Sequence, residues 1–253
     1  MTSAAPHPLT LLQALAHEVR WQIVTELAQS DRRVGELMAV VGRPQNFVSY
    51  HLKQLRQAGL VRERRSIADG RDVYYTLDLL ALREQLSVTG AHLHPALMPT
   101  WEPPTLDLRS PLPRPIHVLF LCTHNSARSQ IAEALLRYAT HGAIEVFSAG
   151  THPTTLHPLA VTALAEFGVA DAGLFAKPLA QLVPLTFEYV ITVCDRAREE
   201  CPPFAASTQV IHWSLPDPLE AEPLNQAPFT ATAQELNTRI RFFLSRIAHD
   251  WVP

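Results

Sequence analysis

The sequence predicts two domains of different class: an N-terminal α+β domain with a helix-turn-helix and a two-stranded wing, and a C-terminal α/β domain built on a parallel sheet. In the first domain, residues 1–86, helical periodicity ends in two short β-prone runs. A proline-rich stretch, residues 87–115, predicts a linker. From 116 to 253, short apolar runs alternate with helical segments, which is typical of α/β domains.

The composition favours a globular protein of two modest domains. The chain has 253 residues, of which 47% are hydrophobic and 18% charged. No apolar run approaches the roughly 18 to 20 residues that span a bilayer, so we expect no membrane association. The opening "MTSAAPHPLT" lacks a basic segment followed by an apolar one, and we therefore expect a cytoplasmic location.

Three helices are predicted at the start of the chain. The stretches "LLQALAHEVRWQIVTELAQ" and "RVGELMAVVG" each have amphipathic spacing. A third, "RPQNFVSYHLKQLRQAGL", has Pro44 near its start and Gly59 at its stop. Its Val48, Leu52 and Leu55 share one face, which predicts a core face on this helix.

A β-hairpin is predicted directly after the third helix. The β-prone runs "LVRERRSI" and "RDVYYTL" flank "ADG", and Asp69-Gly70 is a pair that favours a tight turn. Helix, turn, helix and hairpin together predict a winged helix-turn-helix.

The region around the third helix and the hairpin is locally basic. Between Arg43 and Arg71 there are seven Lys/Arg and two Asp/Glu, an excess that suits contacts with phosphates. The alternative is that the arginines of the hairpin are simply exposed to solvent and do not contact DNA. The candidate DNA-binding residues, on the third helix and the wing, are Gln45, Asn46, Ser49, Tyr50, His51, Arg65 and Arg71.

The segments "LLQALAHEVRWQIVTEL", "VSYHLKQLRQAGLVRERR" and "GRDVYYTL" resemble the ArsR-type winged-helix repressors. The resemblance implies binding to a double-stranded DNA operator, and homodimers because such operators are two-fold. No cysteine precedes Cys122, so we expect no thiolate metalloid site in this domain.

Seven prolines lie between Ser87 and Pro115, with little periodicity, which predicts a partly extended linker. Beyond it, the runs "HVLFLC", "AIEVFSAG", "YVITVC" and "TQVIHWSL" predict strands, and segments such as "SQIAEALLRYAT" predict the helices between them. Alternating strands and helices indicate a parallel sheet covered on both faces.

The motif "CTHNSARS" places Cys122 at a strand end, a loop of five residues, then Arg128 and a helix. Backbone N–H groups of such a loop favour an anion, and arginine binds two oxygens at once. The same environment favours a thiolate, toward which Ser129 can donate a hydrogen bond. The alternative is a buried core cysteine beside a coincidental arginine. The candidate anion-binding residues are Thr123, His124, Asn125, Ser126, Ala127, Arg128 and Ser129.

This motif and the later "SAGTHP" resemble the low-molecular-weight phosphotyrosine phosphatase superfamily, and within it the thioredoxin-coupled arsenate reductases. The resemblance implies a four-stranded parallel sheet with helices on both faces. It also implies that Asp217, in "HWSLPDPLE", is the general acid.

The resemblance to the reductases assigns all three cysteines of the chain. Cys194 would attack the adduct on Cys122 and release arsenite, and Cys201 would then take over the disulfide for a thioredoxin-like reductant. The alternative is that Cys194 and Cys201 are ordinary cysteines or metal ligands, but zinc spacing is absent, and we expect no metal and no bound cofactor.

Two positions depart from the family pattern. Ala127 stands where many members have a second loop cysteine, and Leu219 stands where tyrosine phosphatases tend to have an aromatic residue. We therefore expect a DNA-binding regulator fused to an arsenate reductase. The alternatives are a regulator fused to a phosphatase, and a non-enzymatic oxyanion or redox sensor that controls DNA binding.

Overall fold

A computed structural model of the chain describes residues 8–68, 70–97, 115–169, 173–182 and 185–251. The chain divides into two compact units between residues 101 and 102, within the predicted linker. Most of that linker, residues 98–114, lies outside the described residues, so the domain limits stay a prediction.

The N-terminal unit is a helix-turn-helix with a wing, as the sequence predicts. Its antiparallel sheet has the order β1-β3-β2. The elements are α1 (Pro8–Leu15), α2 (Glu18–Leu27), β1 (Arg32–Arg33), α3 (Val34–Val41), α4 (Gln45–Gln57), β2 (Val61–Arg65), β3 (Val73–Leu77) and α5 (Leu79–Leu93).

The first predicted helix is two helices in the structure. The chain is extended at His17, with φ −155° and ψ 127°, and the ring Nδ1 accepts the N–H of Val19 at 3.2 Å. Because the His17 side chain caps α2, the predicted single helix is interrupted between the end of α1 at Leu15 and the start of α2 at Glu18.

The tight turn predicted for the wing is also wrong. Strand β2 pairs with β3 from Val61 opposite Leu77 to Arg65 opposite Val73, so the loop between them spans residues 66–72. The buried Ser66 accounts for the wider loop, because its N–H donates to the Asp72 carbonyl at 2.8 Å and its carbonyl accepts the N–H of Gly70 at 3.1 Å. Asp69 lies outside the described residues.

The first part of the predicted linker, residues 87–93, is the end of helix α5. The carboxylate of Asp78 caps this helix by accepting the N–H of Ala81 at 3.0 Å. Gln85 and Thr89 are buried, and α5 packs against α1. This packing stabilises helix beyond the predicted boundary.

The C-terminal unit is an α/β domain with a four-stranded parallel sheet of order β5-β4-β6-β7, which confirms the predicted class. Its elements are β4 (His117–Cys122), α6 (Arg128–Ala139), β5 (Glu145–Gly150), α7 (Pro158–Ala165), β6 (Tyr189–Thr192), α8 (Asp195–Glu200), β7 (Gln209–His212) and α9 (Gln226–Trp251).

The central strand β4 separates two apolar clusters. Val118 and Phe120 belong to the larger cluster with α6 and α9, whereas Leu119 and Leu121 belong to a smaller cluster on the other face. The carboxyl ends of parallel strands meet at one edge of the sheet, where ligands bind in open α/β folds. Cys122 ends β4 at that edge. None of the described helices has both the length and the apolar character needed to cross a bilayer.

Candidate active site and nucleic-acid interface

The loop between β4 and α6, residues 123–127, forms a cradle whose carbonyl groups point outward. Backbone N–H groups of residues 151, 152, 154 and 157 donate to the carbonyls of residues 122, 123, 124 and 126, at 2.8 to 3.2 Å. Within a trans peptide the C=O and the next N–H point in opposite directions. The N–H groups of the loop therefore point toward its inner side, where they favour an anion.

Gly150 lets strand β5 approach this loop closely. A Cβ atom there would lie 2.7 Å from the Thr123 carbonyl oxygen and 3.1 Å from the Asn125 nitrogen. Such contacts are too close for any side chain, so glycine is required. The "SAG" of the sequence motif thus has a direct steric role in supporting the loop.

Cys122 is 2% exposed, and its sulfur is surrounded by hydrogen-bonding groups of the loop. The N–H of Asn125 donates to Sγ at 3.1 Å, and the Ser129 hydroxyl lies 2.9 Å from Sγ. Because Ser129 Oγ accepts the Asn125 amide N–H at 2.8 Å, its own proton is available to the sulfur. Two hydrogen-bond donors are therefore directed at the sulfur of Cys122.

Sequence reasoning missed the network behind Asn125, which adopts φ 48°. Its amide nitrogen also donates to Ser148 Oγ at 2.8 Å, and its oxygen accepts the Lys177 N–H at 2.9 Å. The Ser148 hydroxyl in turn donates to the carboxylate of Glu133. Lys177 Nζ lies 3.3 Å from that carboxylate. These buried contacts hold the orientation of the amide, and local sequence carries no signal of them.

Arg128, the first residue of α6, is 4% exposed. One of its terminal nitrogens donates to the Leu215 carbonyl at 3.1 Å, and the other pairs with the Asp217 carboxylate. The other oxygen of Asp217 accepts the N–H of Leu219 at 3.1 Å. The fold thus brings the predicted arginine and the predicted acid together across 89 positions of sequence.

Cys194 is fully buried in the same apolar cluster as Cys122. Its sulfur caps α8 by accepting the Ala197 N–H at 3.4 Å, and it lies 3.3 Å from the hydroxyl of Thr123. Burial raises the pKa of the Cys194 thiol. The structure therefore places the second cysteine against the loop that carries the first.

Cys201 follows the last residue of α8 and is partly exposed. It packs with Phe204 against the smaller apolar cluster, on the opposite face of the sheet from Cys194. Burial raises the pKa of its thiol to about 11. All three cysteines are free thiols. Within the described residues, no group of three or more His, Cys, Asp or Glu side chains is arranged to hold a metal ion.

Helix α4 presents most of the predicted DNA-binding residues on its outer face. Gln45, Asn46 and Tyr50 are exposed, and Ser49 is half-buried. Arg65 and Arg71, at the two ends of the wing loop, are exposed as well.

His51 does not belong to that face. It is 3% exposed, and its ring packs 4.3 Å from the ring of His17 and 4.7 Å from that of Phe47, centroid to centroid. The reason is helical register, because position 51 falls between the buried Val48 and Leu52. Burial lowers the pKa of His51. The buried ring lies away from the exposed face of α4, so its position does not support the predicted contact of His51 with DNA.

A cleft between α4 and the wing, with a volume of about 850 Å³, adds cationic groups that the predicted set lacks. Lys53, Arg56 and Arg62 line it, together with Tyr75. Arg56 pairs with Glu63 across the cleft at 2.6 Å. Lys53 and Arg56 lie on α4, where the spacing along the helix face could have identified them, whereas Arg62 lies on β2 and carries no such signal.

Comparison with known proteins agrees with both halves of this description. Residues 117–252 match the family model of the low molecular weight phosphotyrosine protein phosphatases, and residues 17–63 match that of the bacterial regulatory proteins of the arsR family. An arsenate reductase of Halalkalibacterium halodurans is 31% identical over 129 residues, which are 50% of this chain and 93% of that protein. An arsenate reductase of Shouchella clausii is 34% identical over 130 residues, with 50% and 93% covered.

Among solved structures, the thioredoxin-dependent arsenate reductase of Corynebacterium glutamicum is 24% identical, with 90% of this chain and 98% of that chain covered and a TM-score of 0.46. The phosphatase-family match spans more than half of the present sequence and includes the loop, the acid and all three cysteines. The chain belongs to the low molecular weight phosphotyrosine protein phosphatase family, and it carries an arsR-family helix-turn-helix domain in front of the phosphatase-like domain.

Proposed function

We propose that the C-terminal domain reduces arsenate to arsenite through its three cysteines, and that the N-terminal domain is a DNA-binding regulator. The observation that carries the proposal is the position of Cys194, whose sulfur lies 3.3 Å from the hydroxyl of Thr123 in the loop that begins at Cys122. Phosphate-ester hydrolysis needs only the Cys122 thiol as nucleophile, whereas arsenate reduction needs further thiols to remove the arsenic adduct. Similarity to proteins named arsenate reductase, at 31% and 34% identity, supports the same activity.

The first step uses the loop as an oxyanion site. The Cys122 thiolate attacks the arsenic atom of arsenate, forming an S–As bond while the bond from arsenic to one hydroxyl group breaks. Asp217, carrying a proton for this step, gives it to that hydroxyl, which leaves as water. Arg128 binds the remaining oxygens beside Asp217, to which it is already paired. Arsenic stays at oxidation state five in this step.

The second step transfers two electrons to arsenic. Cys194 Sγ attacks Cys122 Sγ and gives its proton to an oxygen of the arsenic adduct. The S–As bond breaks, and its electron pair remains on arsenic, which leaves as arsenite. A Cys122–Cys194 disulfide results. Cys201 then attacks Cys194, the Cys122 thiolate is released, and the disulfide passes to the Cys194–Cys201 pair.

The last transfer requires helix α8 to unwind. Cys194 and Cys201 flank its six residues, and at the helical rise their Cα atoms are separated by roughly 10 Å along the axis. A disulfide needs a Cα separation of about 4.4 to 6.8 Å. Partial exposure of Cys201 then leaves the new disulfide accessible to an external dithiol reductant of the thioredoxin type.

The N-terminal domain is proposed to bind a two-fold operator as a homodimer. Tyr50 and its neighbours on α4 are exposed for base contacts, and Arg65 and Arg71 for the backbone. The surfaces of α1 and α5 carry exposed leucines that a second copy would cover. They are Leu9, Leu12, Leu80, Leu86 and Leu93.

The phosphatase alternative is disfavoured by Leu219. This side chain packs against the larger apolar cluster next to the acid, and it offers no aromatic face to stack on a phosphotyrosine ring. An aryl phosphatase would also need Cys122 alone.

The test is arsenate turnover by the purified full chain with thioredoxin, thioredoxin reductase and NADPH. We expect steady NADPH oxidation that each of Cys122→Ser, Cys194→Ser and Cys201→Ser abolishes. The Cys201→Ser variant should still release about one arsenite per chain, because the first disulfide can form without it. Turnover of an aryl phosphate that survives loss of Cys194 and Cys201, without arsenate reduction, would establish the phosphatase instead.

DNA binding is tested separately, by fluorescence anisotropy at fixed salt with the promoter fragment of the protein's own operon. Tyr50→Ala should weaken binding by about 1 to 3 kcal/mol if its side chain contacts a base. The exposed Trp21, on α2, provides a matched control in Trp21→Ala, which should bind as the unaltered chain does. Equal losses in both variants would contradict the assignment of α4 as the recognition helix.

A further inference from the structure

A buried polar cluster lies behind helix α8, outside the groups assigned above. Asp195, the first residue of α8, is 0% exposed. Its Oδ1 accepts the hydroxyl of Ser214 at 2.8 Å and lies 3.2 Å from Nε2 of His212. A carboxylate oxygen only accepts, so Nε2 carries the proton of this contact. The other ring nitrogen lies 2.8 Å from the hydroxyl of Thr192.

This cluster ties the start of α8 to two neighbouring strands. Thr192 ends β6 and His212 ends β7, so their side chains are fixed by the sheet. Helix α8 has only six residues, and a helix of that length is not stable without tertiary contacts. The buried carboxylate is therefore a main support for the first turn of α8.

The residue directly before Asp195 is Cys194. Its sulfur caps the same first turn, through the Ala197 N–H at 3.4 Å, and meets Thr123 of the oxyanion loop at 3.3 Å. Because the two residues share a peptide bond, contacts that fix the backbone at Asp195 also restrict the position of Cys194. Attack by one sulfur on another requires a close and directed approach.

We propose that Asp195, held by His212 and Ser214, is a positioning residue that keeps the Cys194 thiol against the oxyanion loop for disulfide formation with Cys122. The proposal deepens the reductase function and rests on it for its arsenate-dependent part. The contacts of Asp195 given above are to Ser214 and His212, behind α8, so its effect falls on the step that uses Cys194. Oxyanion binding and the reactivity of Cys122 do not depend on it.

The experiment separates these two properties in the reduced full chain. Alkylation by iodoacetamide, quantified by mass spectrometry on the peptide that carries Cys122, measures the first thiol alone. Formation of the Cys122–Cys194 disulfide, followed by acid quench and peptide mass spectrometry, measures the second. The disulfide is driven by arsenate in one series and by diamide in another, since diamide oxidises paired thiols without any oxyanion.

We expect Asp195→Ala to slow disulfide formation roughly 10- to 100-fold with both oxidants, as displaced reacting groups do, and to leave alkylation of Cys122 unchanged. Asp195→Asn, which keeps an acceptor oxygen for the same two donors, should restore part of the rate. Arg196→Gln is the matched control, because it changes an exposed charged side chain on the same helix, and it should react as the unaltered chain does.

Ser214→Ala removes one of the two donors and should produce a smaller slowing of the same kind, which keeps the proposal testable if Asp195→Ala does not fold. Unchanged disulfide rates in the folded variants overturn the proposal, and so does an equal fall of disulfide formation and of Cys122 alkylation. If arsenate forms no disulfide in the unaltered chain but diamide does, with the expected dependence on Asp195, the reductase function fails and the positioning role stands. No disulfide with either oxidant overturns both.

Discussion

The buried ion pair between Glu133 and Lys177 offers a quantitative test of how the oxyanion loop is supported. The side chains are 4% and 9% exposed, and Lys177 Nζ lies 3.3 Å from Oε2 of Glu133. Two unit charges at this distance attract by about 5 kcal/mol at an effective dielectric constant of roughly 20. Arg137 also pairs with Glu133, so the Glu133 carboxylate keeps one cationic partner when Lys177 is replaced.

The perturbation is a double-mutant cycle of Glu133→Gln and Lys177→Met. Glu133→Gln alone leaves a buried ammonium without its carboxylate, and we expect it to lower the free energy of unfolding by roughly 3 to 5 kcal/mol. In the double variant, the loss of unfolding free energy should be smaller than the sum of the losses in the two single variants. The difference should be about 2 to 3 kcal/mol, in the upper range of measured coupling energies.

The assay is pulsed thiol labelling of Cys194 along a urea series. Every cysteine of the chain lies in the C-terminal domain, and Cys194 is 0% exposed, so labelling reports the unfolding of that domain alone. The matched control is the Glu235–Arg239 pair on α9, at 2.9 Å and partly exposed, for which the coupling should stay below about 1 kcal/mol. Single effects at Glu133 and Lys177 that add within about 0.5 kcal/mol would refute the reasoning.

Three further predictions concern the loop and the third cysteine. Arg128→Lys should lower arsenate turnover at least tenfold, because a point charge cannot replace a planar fork, and a near-normal rate would count against the assigned geometry. Alkylation of Cys201 should accelerate about tenfold per pH unit up to its pKa of about 11, since the raised pKa keeps the neutral thiol at lower pH, and a plateau near pH 9 would contradict this. Gly150→Ala should weaken binding of inorganic phosphate, measured by calorimetry, at least tenfold, because its Cβ would meet a loop oxygen at 2.7 Å. Unaltered phosphate affinity would show that the loop can move away from the added Cβ atom without losing its anion site.

The elements that the sequence predicts well are those whose signal is local. The β-branched runs that end at Cys122 and Thr192 became adjacent parallel strands, and the loop to Arg128 has the predicted length. The hydrophobic period of a strand is two residues and that of a helix is 3.6 residues, so either period can be recognised within about a dozen neighbouring residues. The reactive motif at the junction of strand and helix lies within the same short stretch. Similarity to a known family then supplied the number of parallel strands, and the strand order came only from the structure.

Errors arose where two local interactions compete. The periodicity around His17 is helical on both sides, and a side-chain cap decided that the chain breaks there. Asp69-Gly70 favours a tight turn, but the bonds of Ser66 close a wider loop. His51 lies at the edge of the helical face, where a small rotation of α4 decides between solvent and core. In the first two cases, the free-energy difference between the predicted and the observed local structure is on the order of 1 kcal/mol, the value of a single cap or hydrogen bond.

By itself, the sequence determined the two domains, the strand and helix types, and the residues capable of the chemistry, because these depend on side-chain pattern and on reactive groups at short spacing. Only the tertiary structure decided which distant groups face one another. The Asp217 carboxylate meets Arg128 across 89 positions, Lys177 meets Glu133 across 44, and His212 meets Asp195 across 17. The free energy of a buried charge depends on the charged group with which it pairs. Strand register and helix packing decide which group that is, and no local stretch of the chain encodes them.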